Sequence, residues 1–131
     1  MVAFTGKILF VLQHVTLELR RDDWPAAEQF WETVGFHEVE PPGNLGERSA
    51  WVQRDGTQIH LQWQDDPVAP PEGHAAVVVD DWDAVFARLQ DEGYEVNERP
   101  RHWGAARCFV RGPGGHRVEL MAASPNRLPD P

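Results

Sequence analysis

The chain is poor in cysteine, in positive charge and in long apolar runs. Its only cysteine among 131 residues is Cys108, so no intrachain disulfide framework can form, and a reducing, cytoplasmic location is expected. Twelve Lys and Arg residues face 21 Asp and Glu, a net charge of −9. A phosphate backbone would be repelled, so no nucleic-acid partner is expected. A metal ion, or a neutral or cationic small ligand, is better tolerated. No stretch approaches the roughly 20 apolar residues of a membrane helix. Near Lys7 no apolar run ends in a small-residue cleavage site, so neither a membrane partner nor a leader is expected. Length is limited too. A chain of this size buries about 68% of its unfolded surface, enough for one domain spanning residues 1–131 but not for two large ones.

Histidine, by contrast, is plentiful, with six residues. Their positions decide whether they matter. Val11–Leu19 alternates apolar and polar residues as a strand does. Asp22, Asp23 and Pro25 then open a helix, Trp24, Ala27, Phe30, Trp31 and Val34 repeat at helical spacing, and Gly35 ends it. Short strands follow at Phe36–Val39, Ser49–Arg54 and Gln58–Gln64, the last two joined by an Asp55-Gly56 turn. A Pro-rich linker covers 65–73. Beyond it come a strand at His74–Val79, a helix over Trp82, Val85, Phe86 and Leu89 closed by Gly93, a strand at Tyr94–Glu98, a loop at 99–106, and strands at Arg107–Arg111 and His116–Met121. The proline-bearing tail after Ser124 is expected to fray.

The chain therefore says one thing twice. His14 and His74 stand 60 residues apart, Trp24 and Trp82 58, Gly35 and Gly93 58, and Gly56 and Gly115 59. The Ile59/Val118 and Leu61/Leu120 pairs bracket His60 in one half and Glu119 in the other. The fold class is α+β, with two β-α-β-β-β modules over about 11–64 and 74–122. Alternation sends the Val, Leu and Ile neighbours towards the helices and His14, His60, His74 and Glu119 to the opposite, open face. Four ligand-type residues at equivalent positions point to a metal site, which imidazole and carboxylate suit. Thr16, Glu18, Gln58, Gln62, Ala76 and Val78 should share that face as substrate contacts or supports, Glu18 as an additional acid or base. Trp103 could wall a pocket from its loop. His37, His102 and His116 read as surface or structural residues, Cys108 as packing, and Trp24, Trp31 and Trp82 as core. Arg101, Arg107 and Arg111 read as solvated strand residues, with a substrate carboxylate as their alternative partner.

With Gln13-His14-Val15, Gly73-His74-Ala75 and Gly112-Pro113-Gly114-Gly115-His116-Arg117-Val118-Glu119-Leu120, the sequence resembles the vicinal oxygen chelate superfamily from about residue 11 to 122. That group includes glyoxalase I, extradiol dioxygenases, fosfomycin-resistance transferases and bleomycin-resistance proteins. The resemblance implies a cupped mixed sheet with helices on its outer face. It also implies a homodimer in which His14 and His60 of one chain meet His74 and Glu119 of the other. It further implies a divalent Fe, Ni, Zn, Mn or Co ion that chelates two substrate oxygens and acts as a Lewis acid. His60 stands where bacterial glyoxalase I resembles a Glu, so it could ligate or act as base, with Glu119 as the second catalytic group. The expected function is metal-dependent lyase or isomerase chemistry on a small oxygen-chelating substrate. The alternative is a metal-free protein that sequesters an antibiotic.

Overall fold

The computed structural model describes residues 11–124; Lys7 and the proline-bearing tail lie outside them. The elements run β1 (His14–Leu19), α1 (Trp24–Thr33), β2 (His37–Val39), β3 (Ser49–Arg54), β4 (Thr57–Trp63), β5 (Ala75–Val78), α2 (Trp82–Asp91), β6 (Val96–His102), β7 (Ala105–Arg111) and β8 (Arg117–Met121). They form two four-stranded mixed sheets, in the orders β1-β4-β3-β2 and β5-β8-β7-β6. In each sheet the first strand pairs in parallel with the last, and the other pairings are antiparallel. The repeat read from the spacing is thus repeated in topology.

Core and open faces separate by period two. Leu19, Ile59, Leu61, Val110, Val118 and Leu120 are almost fully buried and join Phe30, Trp31 and Leu89 in one cluster drawn from both halves. Burying a side chain of this size contributes about 1.5–3 kcal/mol, so this shared cluster binds the halves to each other. Three polar ties reinforce it. Thr33 Oγ1 donates to Glu92 Oε1 (2.8 Å), Arg54 reaches Asp80 (2.8 Å) and the Val78 carbonyl, and His116 Nε2–H donates to the Glu18 carbonyl (2.6 Å). His116 is buried, which accords with a structural role.

The helix ends differ between the halves. The Asp81 carboxylate accepts from the Ala84 N–H (3.3 Å), the usual N-cap bond. Asp23 makes no such bond, because a 3-10 turn at Arg21–Asp23 leads into α1. Gly35 (φ 103°) and Gly93 (φ 95°) close the helices in the left-handed region that favours glycine.

Three expectations need correction. β1 begins at His14, leaving Val11 and Leu12 exposed, and β5 begins one residue after His74. The expected loop at 99–106 is a β-hairpin: β6 runs on to His102, and Trp103 (φ 50°) with Gly104 (φ 77°) makes the tight turn. Its polar residues and Pro100 mimic a loop. An edge strand exposed along most of its length can carry both, and its pairing slips between Arg99 and His102.

The turn before β8 rests directly on β1. Gly114 has φ 78°, and a Cβ built there would sit 2.8 Å from Leu19 Cδ1. Gly114→Ala should therefore lower the unfolding free energy by about 1–3 kcal/mol, read from the urea midpoint.

Candidate functional site

Parallel pairing places the site residues. His14 lies opposite Gln58 and Thr16 opposite His60, so the two imidazoles are diagonal neighbours on the open face. Their rings stack with centroids 4.1 Å apart. Trp51, opposite His60 on β3, covers the other side of that ring at 3.7 Å and 6°. His60 is held between two planes and is only 9% exposed. Burial, and then repulsion from His14, push its pKa below the ordinary histidine value, so it is neutral near pH 7.

Hydrogen bonds fix the free nitrogens. Gln58 Nε2 donates to Gln53 Oε1 (2.7 Å), which leaves Gln58 Oε1 to accept from His60 Nε2–H (2.8 Å). His60 Nδ1 then carries the lone pair. His14 Nδ1 lies 2.7 Å from Gln13 Oε1, which leaves its Nε2 bare when Nδ1 is the donor.

The second module holds the equivalent pair. His74 Nδ1–H donates to the Glu72 carbonyl (2.9 Å), and Nε2 faces Glu119 Oε1 at 3.1 Å. A carbonyl can only accept, so a neutral His74 must present a lone pair to a carboxylate oxygen. Two acceptors at that distance require a cation between them or a proton on the ring. The donor set thus suits a divalent ion of the kind bound by imidazole and carboxylate. Arg107 Nη1 donates to the other oxygen, Glu119 Oε2 (3.3 Å), and Arg107 Nε donates to the Pro100 carbonyl (2.8 Å). Glu119 itself is buried, so both partners hold it in place.

The structure forms two pairs rather than one foursome. Among the described residues no three His, Cys, Asp or Glu side chains converge closely enough to hold one ion. Thr16, His60, Gln62 and Trp51 line a recess of about 230 Å³ on the first sheet. Gln58 supports His60 as described. The Glu18 carboxylate accepts from the Val68 N–H (3.0 Å) and so ties the linker to β1. Trp103 stands at the hairpin tip, 55% exposed, and packs edge-on against His102. None of its contacts joins it to the four ligand-type residues. Cys108 is fully buried, and burial pushes its thiol up to about 11, as a packing role requires.

Sequence reasoning missed Trp51, Gln53 and the part Arg107 plays. The first two could have been found by counting outward from Asp55-Gly56, since that turn sets Gln53 opposite Gln58 and Trp51 opposite His60. Arg107 offered a weaker signal, because it is a diagonal neighbour of Glu119 rather than its register partner.

The fold and these paired residues define a class of protein, one with a twice-repeated β-α-β-β-β unit and ligand-type side chains on its parallel strands. The chain belongs to the Glyoxalase/Bleomycin resistance protein/Dioxygenase superfamily, whose family model matches residues 11–120. It is similar to a protein of Bacillus anthracis placed in the glyoxalase family (24% identity, 88% of this chain, 97% of that one, TM-score 0.76). It is also similar to the fosfomycin resistance protein FosX of Listeria monocytogenes (21%, 89% and 94%, 0.69) and to the oxidase ChaP-H2 (18%, 91% and 98%, 0.68). At these identities the likeness is one of fold. No curated protein matches the sequence. No helix among the described residues is long and apolar enough to cross a membrane.

The His60 geometry has a thermodynamic signature. Its pKa is lowered on folding, so the unfolded chain binds the proton more readily, and stability falls as pH drops below about 6.5. Chelator-treated protein should show a lower urea midpoint at pH 5.5 than at pH 7.5, and His60→Gln should flatten that difference.

Proposed function

We propose that this chain is a metal-dependent enzyme whose active site is completed by a second copy of itself. His14 and His60 of one subunit would join His74 and Glu119 of the other to hold one divalent ion. The reaction class is lyase or isomerase chemistry on a small substrate with two adjacent oxygens. One observation carries this reading: His74 Nε2 and the Glu119 carboxylate face each other at 3.1 Å, while the matching histidine pair sits elsewhere on the same chain. Each half-site has too few donors for a four-ligand set, and a two-fold axis supplies the rest. A protein that sequesters a drug without metal has no use for this donor set. In support of a metal, a point mutant of the FosX protein of Listeria monocytogenes has been crystallised with Mn(II) and 1S,2S-dihydroxypropylphosphonic acid, and it shares this fold at 21% identity and a TM-score of 0.69.

When bound, the ion would act as a Lewis acid towards the two substrate oxygens. The chain's own side chains set the rest. Arg107 and the Glu72 carbonyl aim Glu119 and His74. The Gln53-Gln58 chain keeps the His60 proton on Nε2, so Nδ1 can ligate or accept a proton from substrate. Thr16 offers a hydroxyl and Gln62 an amide at the recess, and the Trp51 ring keeps water from one side of His60. We also read the chain as one domain of two modules joined through 65–73, acting in the cytoplasm.

Metal analysis of protein purified without chelator should find a transition metal near stoichiometry. Less than about 0.1 ion per chain, with no uptake of added Mn, Fe, Co, Ni or Zn, would leave the metal-free binding alternative standing. His74→Ala with Glu119→Ala should abolish uptake. Mixing separately prepared His14→Ala and Glu119→Ala chains gives a sharper result. If subunits exchange freely, half the dimers are mixed and each has one intact site, restoring about a quarter of wild-type metal. A site made within one chain recovers none.

A further inference from the structure

The net charge of −9 hides a local reversal on the second module. Register pairs Arg99 with Arg107, Phe109 with Glu119 and Arg111 with Arg117. Alternation therefore sends four arginines to the face that carries Glu119, grouped around Phe109. A groove of about 530 Å³ runs beside it, lined by Arg99, Arg111 and Arg117 with Asn97 and Phe109, and by the carboxylates of Glu72 and Glu98.

The arginines differ in what they already bind. Arg107 is committed to Glu119. Arg117 pairs with Glu72, whose side chain is 88% exposed, and its guanidinium carbon lies over the Phe109 ring, 3.7 Å from the centroid. Arg111 donates only to the carbonyls of Gly115 and Pro71, which carry no charge. Arg99 pairs with Arg107 through the β6–β7 ladder, and its guanidinium makes no hydrogen bond or ion pair among the described residues. Two full positive charges thus border the groove without a carboxylate partner. Ring contact and carbonyl bonds limit the freedom of Arg117 and Arg111, so little ordering remains to be done when an anion arrives. Three arginines against Glu72 and Glu98 leave the lining net positive, so an anion is favoured here over the cation that the overall charge would suggest.

We propose that this groove receives an anionic group of the substrate, a carboxylate or phosphoryl-type oxyanion, and so aims its oxygen pair at Glu119 and His74. A guanidinium fork matches either oxyanion in two-point geometry. The inference rests on the site proposed above, and its test is arranged so that the two can fail separately.

Two probes share a chelating head and differ by one carboxylate: catechol and 3,4-dihydroxybenzoate. Titration calorimetry on Mn(II)-loaded protein should show 3,4-dihydroxybenzoate binding at least about tenfold more tightly, the scale of one charged contact. In Arg99→Gln with Arg111→Gln the ratio should fall to within about twofold. Equal affinities in the wild type, or a preference that survives the substitutions, overturns the proposal. A second arm needs no metal. Inorganic phosphate should bind chelator-treated protein and should weaken about tenfold in the single exposed variant Arg99→Glu, whose fold is checked by circular dichroism. Phosphate binding that is absent, or indifferent to Arg99→Glu, overturns the groove as a phosphoryl site; carboxylate preference without it assigns the groove to carboxylates. Protein that takes up no Mn(II) but binds phosphate through Arg99 sinks the metal reading and keeps this one.

Discussion

The alternation of each strand between a buried and an open face governs this molecule. Ile59 and Leu61 flank His60, and Val118 and Leu120 flank Glu119. All four aliphatic neighbours are about 1% exposed. A one-residue slip would exchange every core residue for a polar one, so the hydrophobic packing that stabilises the sheet also locks the orientation of the candidate ligands. The chemistry is positioned by residues that take no part in it.

Much of this was legible in the sequence. The offsets of 58 to 60 residues marked the repeat, and the alternation marked which residues face the helices. Those offsets matched His14 with His74 and His60 with Glu119, while the grouping of His14 with His60 and of His74 with Glu119 came from the family resemblance. The strands at Tyr94–Glu98 and Arg107–Arg111 were legible, but the stretch between them that completes the β6–β7 hairpin was not. Beyond Glu98, β6 is exposed, so no apolar alternation betrays it, and Pro100 argues against a strand. The stack on Trp51 was hidden for another reason. Cross-strand contact depends on register, and register becomes visible only when residues are counted out from the turn. That the two pairs stay apart within one chain lay beyond any spacing argument, because it depends on how the modules dock.

Docking explains an otherwise odd division. Phe30, Tyr94 and Leu89 join the halves through the helical side, and His116 adds a bond from the last turn to β1. The halves of one chain therefore meet through their cores and not through their ligand faces. Net charge misleads for a related reason. Formal charge is summed over the chain, whereas a ligand senses the few groups on one face, and on the second sheet those are largely arginine.

Pro100 and the pairing slip beside it have one more effect. β6 is the outer strand of its sheet, and an outer strand with a straight, free backbone invites another chain to extend the sheet. A missing N–H and a broken register, with Arg99 and Arg101 on either side, deny it that template. The irregularity that disguised part of the strand as a loop thus also makes this edge a poor template for another chain.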